Sequence, residues 1–189
     1  MNKSLLFWSI TCLALTFTYF ATQIDKQAST HQFQPLSLTQ SHIDRIELEG
    51  KQRLVLFRKQ GKWRLELPTS EGTKQVLAST NEITNLFRTL KELEHDYLVS
   101  QHANKHNQYG VGQLPEQGMV RLFKGDKQQW SLTMGNMADG FGRLHVRLGN
   151  SPHVFVVKGA WWSLGLQATN LNKWRNKNVF PPQLRVESV

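Results

Sequence analysis

Two histidines in this chain have the spacing of metal ligands. His102 and His106 are four residues apart, which would place both imidazoles on one face of a helix, where ligands of a metal ion often lie. The residues around them are Asn, Gln and Lys, which are typical of a solvated surface, and no cysteine lies nearby to complete a site. We predict no metal and no cofactor, and His102 and His106 are the candidate ligands if a metal is bound.

Cationic and aromatic side chains gather toward the carboxyl end and predict a binding surface. Ten basic residues between Arg121 and Arg185 are opposed by two acidic ones, and the whole chain carries a net charge of +9. Such a field attracts polyanions or an anionic membrane surface. The alternatives are a basic face that only aids solubility and, for Trp161 and Trp162, packing in the core. The predicted contact residues are Arg143, Arg147, Lys173, Trp174, Arg175 and Lys177.

The chain lacks the motifs of the common enzyme classes. Segment 135–142 is rich in glycine but matches neither the dinucleotide-binding pattern nor the P-loop, and no Gly-x-Ser-x-Gly elbow is present. The single cysteine, Cys12, lies in the apolar amino-terminal run, which excludes cysteine catalysis in the rest of the chain. We predict that the protein is not an enzyme. The alternative is an enzyme with a site near His102, His106 and Asp139; separately, Asp139, Phe141 and Arg143 are candidates to line a ligand cleft.

The apolar run at residues 4–21 predicts where the protein works. Its eighteen residues carry no charge, and as a helix they would span roughly 27 Å, close to the hydrocarbon thickness of a bilayer. We predict a transmembrane signal anchor at 1–22, a polar linker at 23–41 and a folded domain at 42–189. The predicted location is the inner (cytoplasmic) membrane, with a single pass and the domain in the periplasm; a cleaved signal peptide is the alternative. Nucleic acid is therefore not an expected partner.

Hydrophobic periodicity predicts the elements that would position these residues. Residues 43–67 alternate apolar and charged side chains between two turns, which indicates antiparallel strands with one wet face that includes Glu47. Residues 79–93 carry an apolar stripe at intervals of three and four behind a capping box, which predicts a helix packed on the sheet. Two hairpins are predicted over 118–158, and a second helical segment over 159–179.

A short pattern occurs in both parts of the chain. Leu56-Phe57-Arg58 precedes a strand that opens on Trp63, and Leu122-Phe123-Lys124 precedes one that opens on Trp130. The predicted fold class is α+β, with antiparallel β-hairpins and packed helices arranged as two hairpin-then-helix halves and preceded by one transmembrane helix.

Several short motifs follow one another from about residue 43 to residue 179. They are Gly61-Lys-Trp-Arg-Leu, the helix 83–93, Tyr109-Gly110-Val111, Leu132-Thr-Met-Gly135, Leu144-His-Val-Arg-Leu-Gly149, Val154-Phe-Val-Val157 and Asn170-Leu-Asn-Lys-Trp-Arg-Asn-Lys. In this order of elements, the chain resembles the family of domains of unknown function called DUF4340. The resemblance implies an exported protein that is membrane-anchored or lipoprotein-like, and an accessory role in transporter systems, including those of gliding motility. It implies no catalytic residues.

These observations together predict a binding function. The main hypothesis is a membrane-anchored extracytoplasmic interaction domain, which binds a protein partner as an accessory subunit of a bacterial envelope complex, with a transporter as one such complex. The first alternative is a binder of an envelope polyanion or an anionic lipid through the basic carboxyl-terminal face. The second alternative is an enzyme of unknown chemistry.

Overall fold

The computed structural model describes residues 33–69, 72–164, 166 and 171–177. Within them, nine strands form one antiparallel sheet, accompanied by one helix of three turns and several short helical segments. The strands are β1 (Arg45–Glu49), β2 (Arg53–Lys59), β3 (Lys62–Thr69), β4 (Gly72–Leu77), β5 (Glu94–Ser100), β6 (Gly118–Lys124), β7 (Lys127–Met137), β8 (Arg143–Leu148) and β9 (Val154–Lys158). The helical segments are α1 (Thr80–Lys91), α2 (Leu171–Trp174) and the 3-10 turns Gln40–His42, Ala103–Lys105 and Trp161–Leu164.

Two four-strand meanders lie side by side in this sheet. The strand order is β4-β3-β2-β1-β6-β7-β8-β9-β5, so β1 to β4 form one half and β6 to β9 form the other. The halves meet where β1 pairs with β6, with Glu47 directly opposite Arg121. Every neighbouring pair of these strands is antiparallel, which is the arrangement that short hairpin turns produce.

The connections that leave the two meanders cross over. After β4, helix α1 carries the chain to the far edge of the sheet, where β5 pairs with β9 and Glu94 lies opposite Lys158. After β9, the chain returns through α2 to β4, where Arg175 forms a bridge with Ala78 and Asn176 N donates to Leu77 O at 2.9 Å. The edge strand beside β9 is therefore β5, which follows the first half in the chain. The segment that bridges to the end of β4 follows the second half.

Period-two alternation gives the sheet one apolar face. In β1 the side chains of Ile46 and Leu48 are buried, and their partners Leu122 and Val120 in β6 are buried beside them. Full burial of such a side chain stabilises the fold by about 1.5–3 kcal/mol. The apolar stripe of α1 is buried as well, at Ile83, Leu86, Phe87 and Leu90. The stripe and the apolar face together supply much of the core.

The opposite face of the central strands carries a network of ion pairs around Glu47. This side chain is only 7% exposed, although it lies on the polar face. Its carboxylate lies 3.5 Å from Arg45 Nε, 3.2 Å from Arg53 Nη2 and 3.3 Å from Arg121 Nη1. Arg121 also pairs with Glu49, with 2.6 Å between Nη2 and Oε2. The arginines come from three strands, so the network ties β1 to both of its neighbours.

Helix α1 begins where the sequence predicts. Ser79 is the N-cap, and its Oγ accepts a hydrogen bond from Glu82 N at 3.4 Å, which is one half of the predicted capping box. The Glu82 carboxylate does not complete the box, because Ser79 N donates to Trp174 O at 2.8 Å; the carboxylate instead faces Lys173 Nζ at 3.6 Å. The helix is thus connected at its first turn to the returning carboxyl-terminal segment.

The predicted α+β class is wrong, because the hairpins do not alternate with packed helices but merge into one sheet. In the described part of the chain, α1 is the single helix longer than four residues, and the helical segment predicted over 159–179 consists of a 3-10 turn and α2. The predicted transmembrane helix is not supported either. No helix of the described residues has the length and apolarity needed to cross a membrane. The predicted anchor, 1–22, lies outside those residues.

Candidate functional site

Two aromatic side chains project from neighbouring turns that follow β7 and β9. Phe141, in the turn between β7 and β8, is 96% exposed, and Trp162, in the 3-10 turn Trp161–Leu164, is 49% exposed. Their rings lie 5.6 Å apart between centroids, and Trp161 packs edge-on against Trp162 at 5.9 Å. We call Phe141, Trp161 and Trp162 the aromatic patch. Large aromatic side chains that remain exposed together are characteristic of contact surfaces.

The turn that carries Phe141 is held in place by its neighbours. Gly140 and Gly142 have φ values of +97° and +71°, which glycine adopts without strain. Arg143 Nη1 donates to Asp139 O at 3.1 Å across the base of the turn. A side chain at Gly142 would contact the ring of Trp162 at 3.5 Å, so the turn lies directly against the second aromatic residue.

A small apolar pocket lies beside the patch. It has a volume of about 180 Å³ and is lined by Gln117, Met134, Trp161, Trp162 and Leu166. The indole Nε1 of Trp161 is buried and has no hydrogen-bond acceptor among the described residues. The site therefore offers a space for one apolar side chain and, in its wall, one donor that lacks an acceptor.

Charged groups near the turn are already paired with one another. Asp96 in β5 lies between two cations, with 2.9 Å from its Oδ2 to Arg143 Nε and 2.9 Å from its Oδ1 to Lys158 Nζ. The structure thus brings the predicted cleft residues Asp139, Phe141 and Arg143 together. They form a protruding turn and not a cleft, because Phe141 points into solvent.

Arg147 in β8 fastens a loop onto the polar face of the sheet. Its Nε donates to Val111 O at 3.0 Å, and its Nη1 donates to Gly149 O at 2.9 Å. Burial lowers the pKa of this guanidinium from its usual value, and no carboxylate of the described residues forms an ion pair with it. Arg147 also lines an open polar groove of about 700 Å³ with His106 and Asn107.

The same loop contains one of the motifs that suggested the family, Tyr109-Gly110-Val111, and it packs against a second, Leu132-Thr-Met-Gly135 in β7. Tyr109 O accepts a hydrogen bond from Asn136 N at 2.9 Å, and the Tyr109 ring stacks on His145 at 4.9 Å between centroids. A Cβ at Gly135 would lie 2.1 Å from Tyr109 O, so glycine is required where the loop crosses β7. Tyr109-Gly110-Val111 and Gly135 therefore meet in a structural contact.

The two histidines do not share a helical face. His102 precedes and His106 follows the 3-10 turn Ala103–Lys105, and His106 Nε2 donates to Pro152 O at 3.0 Å. Among the described residues there is no group of three or more His, Cys, Asp or Glu side chains that could hold a metal ion. The spacing of four predicted a helix that the chain does not form at this point.

The six predicted contact residues lie at two separate places. Arg143 and Arg147 are in β8, whereas Lys173 and Trp174 are in α2, and Arg175 and Lys177 follow it where the chain bridges to Ala78 after β4. Trp174 is buried, and Lys173 donates to Ser163 O at 2.6 Å. Arg175 and Lys177 are exposed. The sequence assigned Phe141 to a cleft and left Trp161 and Trp162 between a contact surface and the core, because exposed and buried tryptophans have the same sequence signal.

The comparisons with known proteins identify one family. A family model described as "Domain of unknown function (DUF4340)" matches residues 72–189, from the beginning of β4 onward. No curated protein matches the chain, and no solved structure does.

Proposed function

The chain belongs to the DUF4340 family, and on that premise we propose that it is an interaction domain that binds a partner protein through the aromatic patch. The observation that carries the proposal is the exposed, tilted contact between the rings of Phe141 and Trp162. Binding energy at protein interfaces is concentrated in a few residues, and Trp, Tyr and Arg are the commonest of them. The patch offers two such tryptophans, of which Trp162 is the more exposed, near Arg143.

The pocket next to the patch suggests how a partner binds. A volume of about 180 Å³ with apolar walls accepts one aliphatic or aromatic side chain of the partner. A main-chain carbonyl beside that side chain would then accept a hydrogen bond from Trp161 Nε1, which has no acceptor among the described residues. The partner is accordingly a protein segment with an exposed apolar side chain.

We extend the proposal to the setting of the complex. The domain lies outside the cytoplasm and serves as an accessory subunit of an envelope complex, of which a transporter is one example. Two things support this: the uncharged apolar run at 4–21, and the exported accessory role that the family resemblance implies.

Site-specific crosslinking tests the proposal. A photoreactive phenylalanine at position 141 of the full chain is expected to give one discrete adduct in solubilised membranes. The same group at Leu114, which is 93% exposed elsewhere, is the matched control and should not give that adduct. Trp162→Ala should abolish the adduct at 141 without lowering stability. Equal adducts at both positions, or an adduct that Trp162→Ala leaves intact, would contradict the proposal.

The competing function is binding of an envelope polyanion or an anionic lipid. The net charge of +9 and the exposed Arg175 and Lys177 favour it. Salt separates the two functions, because roughly 1 M salt reduces the Debye length to about 3 Å and screens exposed charges. The adduct at position 141 should survive that salt concentration if the interface is mainly apolar. Its loss would favour the polyanion or lipid.

A further inference from the structure

A second pocket lies at the other end of the sheet order, between the β2–β3 turn and the start of α1. It has a volume of about 430 Å³, and the described residues that line it include no carboxylate. Its polar lining residues are Gln40, Arg58, Lys62, Trp63, Thr80 and Asn176. The lining is thus rich in hydrogen-bond donors and carries positive charge.

Arg58 differs from the arginines of the central strands, because it has no acidic partner among the residues that the structure describes. Its Nη2 donates to the main-chain oxygen of Gln40 at 3.3 Å, and its Nε is buried with no acceptor among those residues. Arg121, by contrast, pairs with two carboxylates. No ion pair joins Arg58 to any carboxylate in the part of the chain that the structure describes. A guanidinium in this state is free to bind an anion.

Trp63 supplies a second donor at the same place. Its side chain is only 4% exposed, and its indole Nε1 is buried without an acceptor among the described residues. A buried donor left without a partner costs about 1–3 kcal/mol. The Arg58 guanidinium lies over the Trp63 ring, with 5.1 Å between Cζ and the ring centroid. The two side chains therefore position each other at the pocket.

The amino terminus of α1 adds a third source of positive potential. Thr80, the first residue of this twelve-residue helix, lines the pocket. The backbone N–H groups of a first helical turn carry a partial positive charge of roughly +0.5, and they bind phosphate in many proteins. The acidic residue of that turn, Glu82, faces Lys173 at 3.6 Å.

We propose that this pocket binds a phosphate group, with Arg58, the Trp63 indole and the first turn of α1 as donors. The phosphate belongs either to a small free ligand or to the headgroup of an anionic phospholipid, since both present the same oxygens. The inference does not rest on the aromatic patch, which lies at the β7–β8 turn and the 3-10 turn Trp161–Leu164.

The indole signal of Trp63 provides a direct test in the full chain in detergent micelles. This resonance is assigned in a nitrogen–proton spectrum as the one that Trp63→Phe removes. Titration with inorganic phosphate should move it in a saturable way, whereas chloride at equal ionic strength should not. Arg58→Gln should weaken the phosphate affinity about tenfold, because a charge-assisted hydrogen bond is lost.

Lys59→Gln is the matched control, because it removes an exposed charge next to Arg58 from a side chain that does not line the pocket. Its affinity should stay within about twofold of the parent, since an exposed charge in water contributes little. An equal loss in both variants would show attraction by bulk charge and overturn the proposal. Unchanged signals of the other tryptophans show that each variant is folded; if Arg58→Gln is not, Arg58→Lys replaces it.

Lipid discs distinguish the two sources of phosphate. Discs of phosphatidylglycerol are compared with discs of phosphatidylcholine, again by the Trp63 indole signal. If inorganic phosphate shifts the signal, a free phosphate ligand is sufficient for binding. If only phosphatidylglycerol shifts it, binding requires the lipid headgroup. No shift with either probe, or the same shift with chloride, would refute the phosphate site.

Discussion

At the scale of single residues, Glu47 shows what an alternating strand pattern can predict and what it cannot. The alternation of β1 correctly places this side chain on the polar face, yet the carboxylate is buried and not solvated as predicted. Its burial depends on Arg53 in β2 and Arg121 in β6. The second of these is distant in sequence, and only the pairing of β1 with β6 brings it near. A local pattern contains no information about that pairing.

Replacement of Glu47 measures the contribution of this network. Glu47→Gln should lower the free energy of unfolding by about 1–3 kcal/mol, because it leaves three arginines without their shared buried partner. Glu49→Gln is the control: Glu49 is more exposed and pairs with Arg121 alone. The control should cost less than about 1 kcal/mol. Denaturant unfolding gives both values, and equal costs would argue against a special role of Glu47.

Gly135 permits a second residue-scale prediction. Gly135→Ala should lower the free energy of unfolding by about 1–3 kcal/mol, because the new Cβ would overlap Tyr109 O and displace the loop from β7. Faster hydrogen exchange of the Asn136 amide, which donates to Tyr109 O, would report that displacement. In Gly149→Ala the new Cβ meets no described atom within 4 Å, so the Asn136 amide should stay protected, although the φ of +51° makes alanine costly at that turn.

At the scale of elements, local sequence signals predicted whether a segment is a helix or a strand better than they predicted which strands pair. The helix expected at 79–93 is observed as α1, and its N-cap is Ser79, because the capping and stripe signals are local. The short repeat pairs the β2–β3 hairpin with the β6–β7 hairpin. In the sheet, however, β1 corresponds to β6, so the matching hairpins are offset by one strand. Strand order depends on long-range pairing, which two short sequence matches do not determine.

The buried stripe of α1 can be tested at one position. Leu90→Ala should lower the free energy of unfolding by about 2–5 kcal/mol, because Leu90 is completely buried and its removal leaves a cavity. Lys91→Ala, one residue further along, changes an exposed side chain and should alter stability by less than about 0.5 kcal/mol. A small effect at Leu90, measured by thermal or denaturant unfolding, would mean that α1 contributes little to the core.

At the scale of the whole molecule, the nine strands behave as one sheet shared by two halves. The sequence predicted antiparallel strands and their turns, but it separated the chain into hairpins with packed helices between them. It also collected six contact residues into one surface, although they lie in β8 and beside β4. The exposure of the aromatic patch was not predicted for a related reason, because the final packing decides how much of Trp162 is exposed to solvent.

Shared edges predict cooperative unfolding of the two halves. Leu65→Ala in β3 should lower the denaturant concentration at which β7 and β8 lose hydrogen-exchange protection, by the same amount as in β2 and β3. The reason is that each half holds an edge element of the other, so neither is complete alone. A change limited to the first half would show instead that the halves unfold independently.

The crossed connections also have a consequence for the order of events during synthesis. β5 leaves the ribosome long before β9, to which it pairs from Glu94 opposite Lys158. At a translation rate of ~5–20 residues per second, β5 remains unpaired for on the order of several seconds before β9 is synthesised. The first half stays without its bridging segment for longer, because Arg175 is synthesised after β9. Nascent chains halted before Val154 should therefore remain open to protease around β5, and the domain can fold only once nearly all of it has been translated.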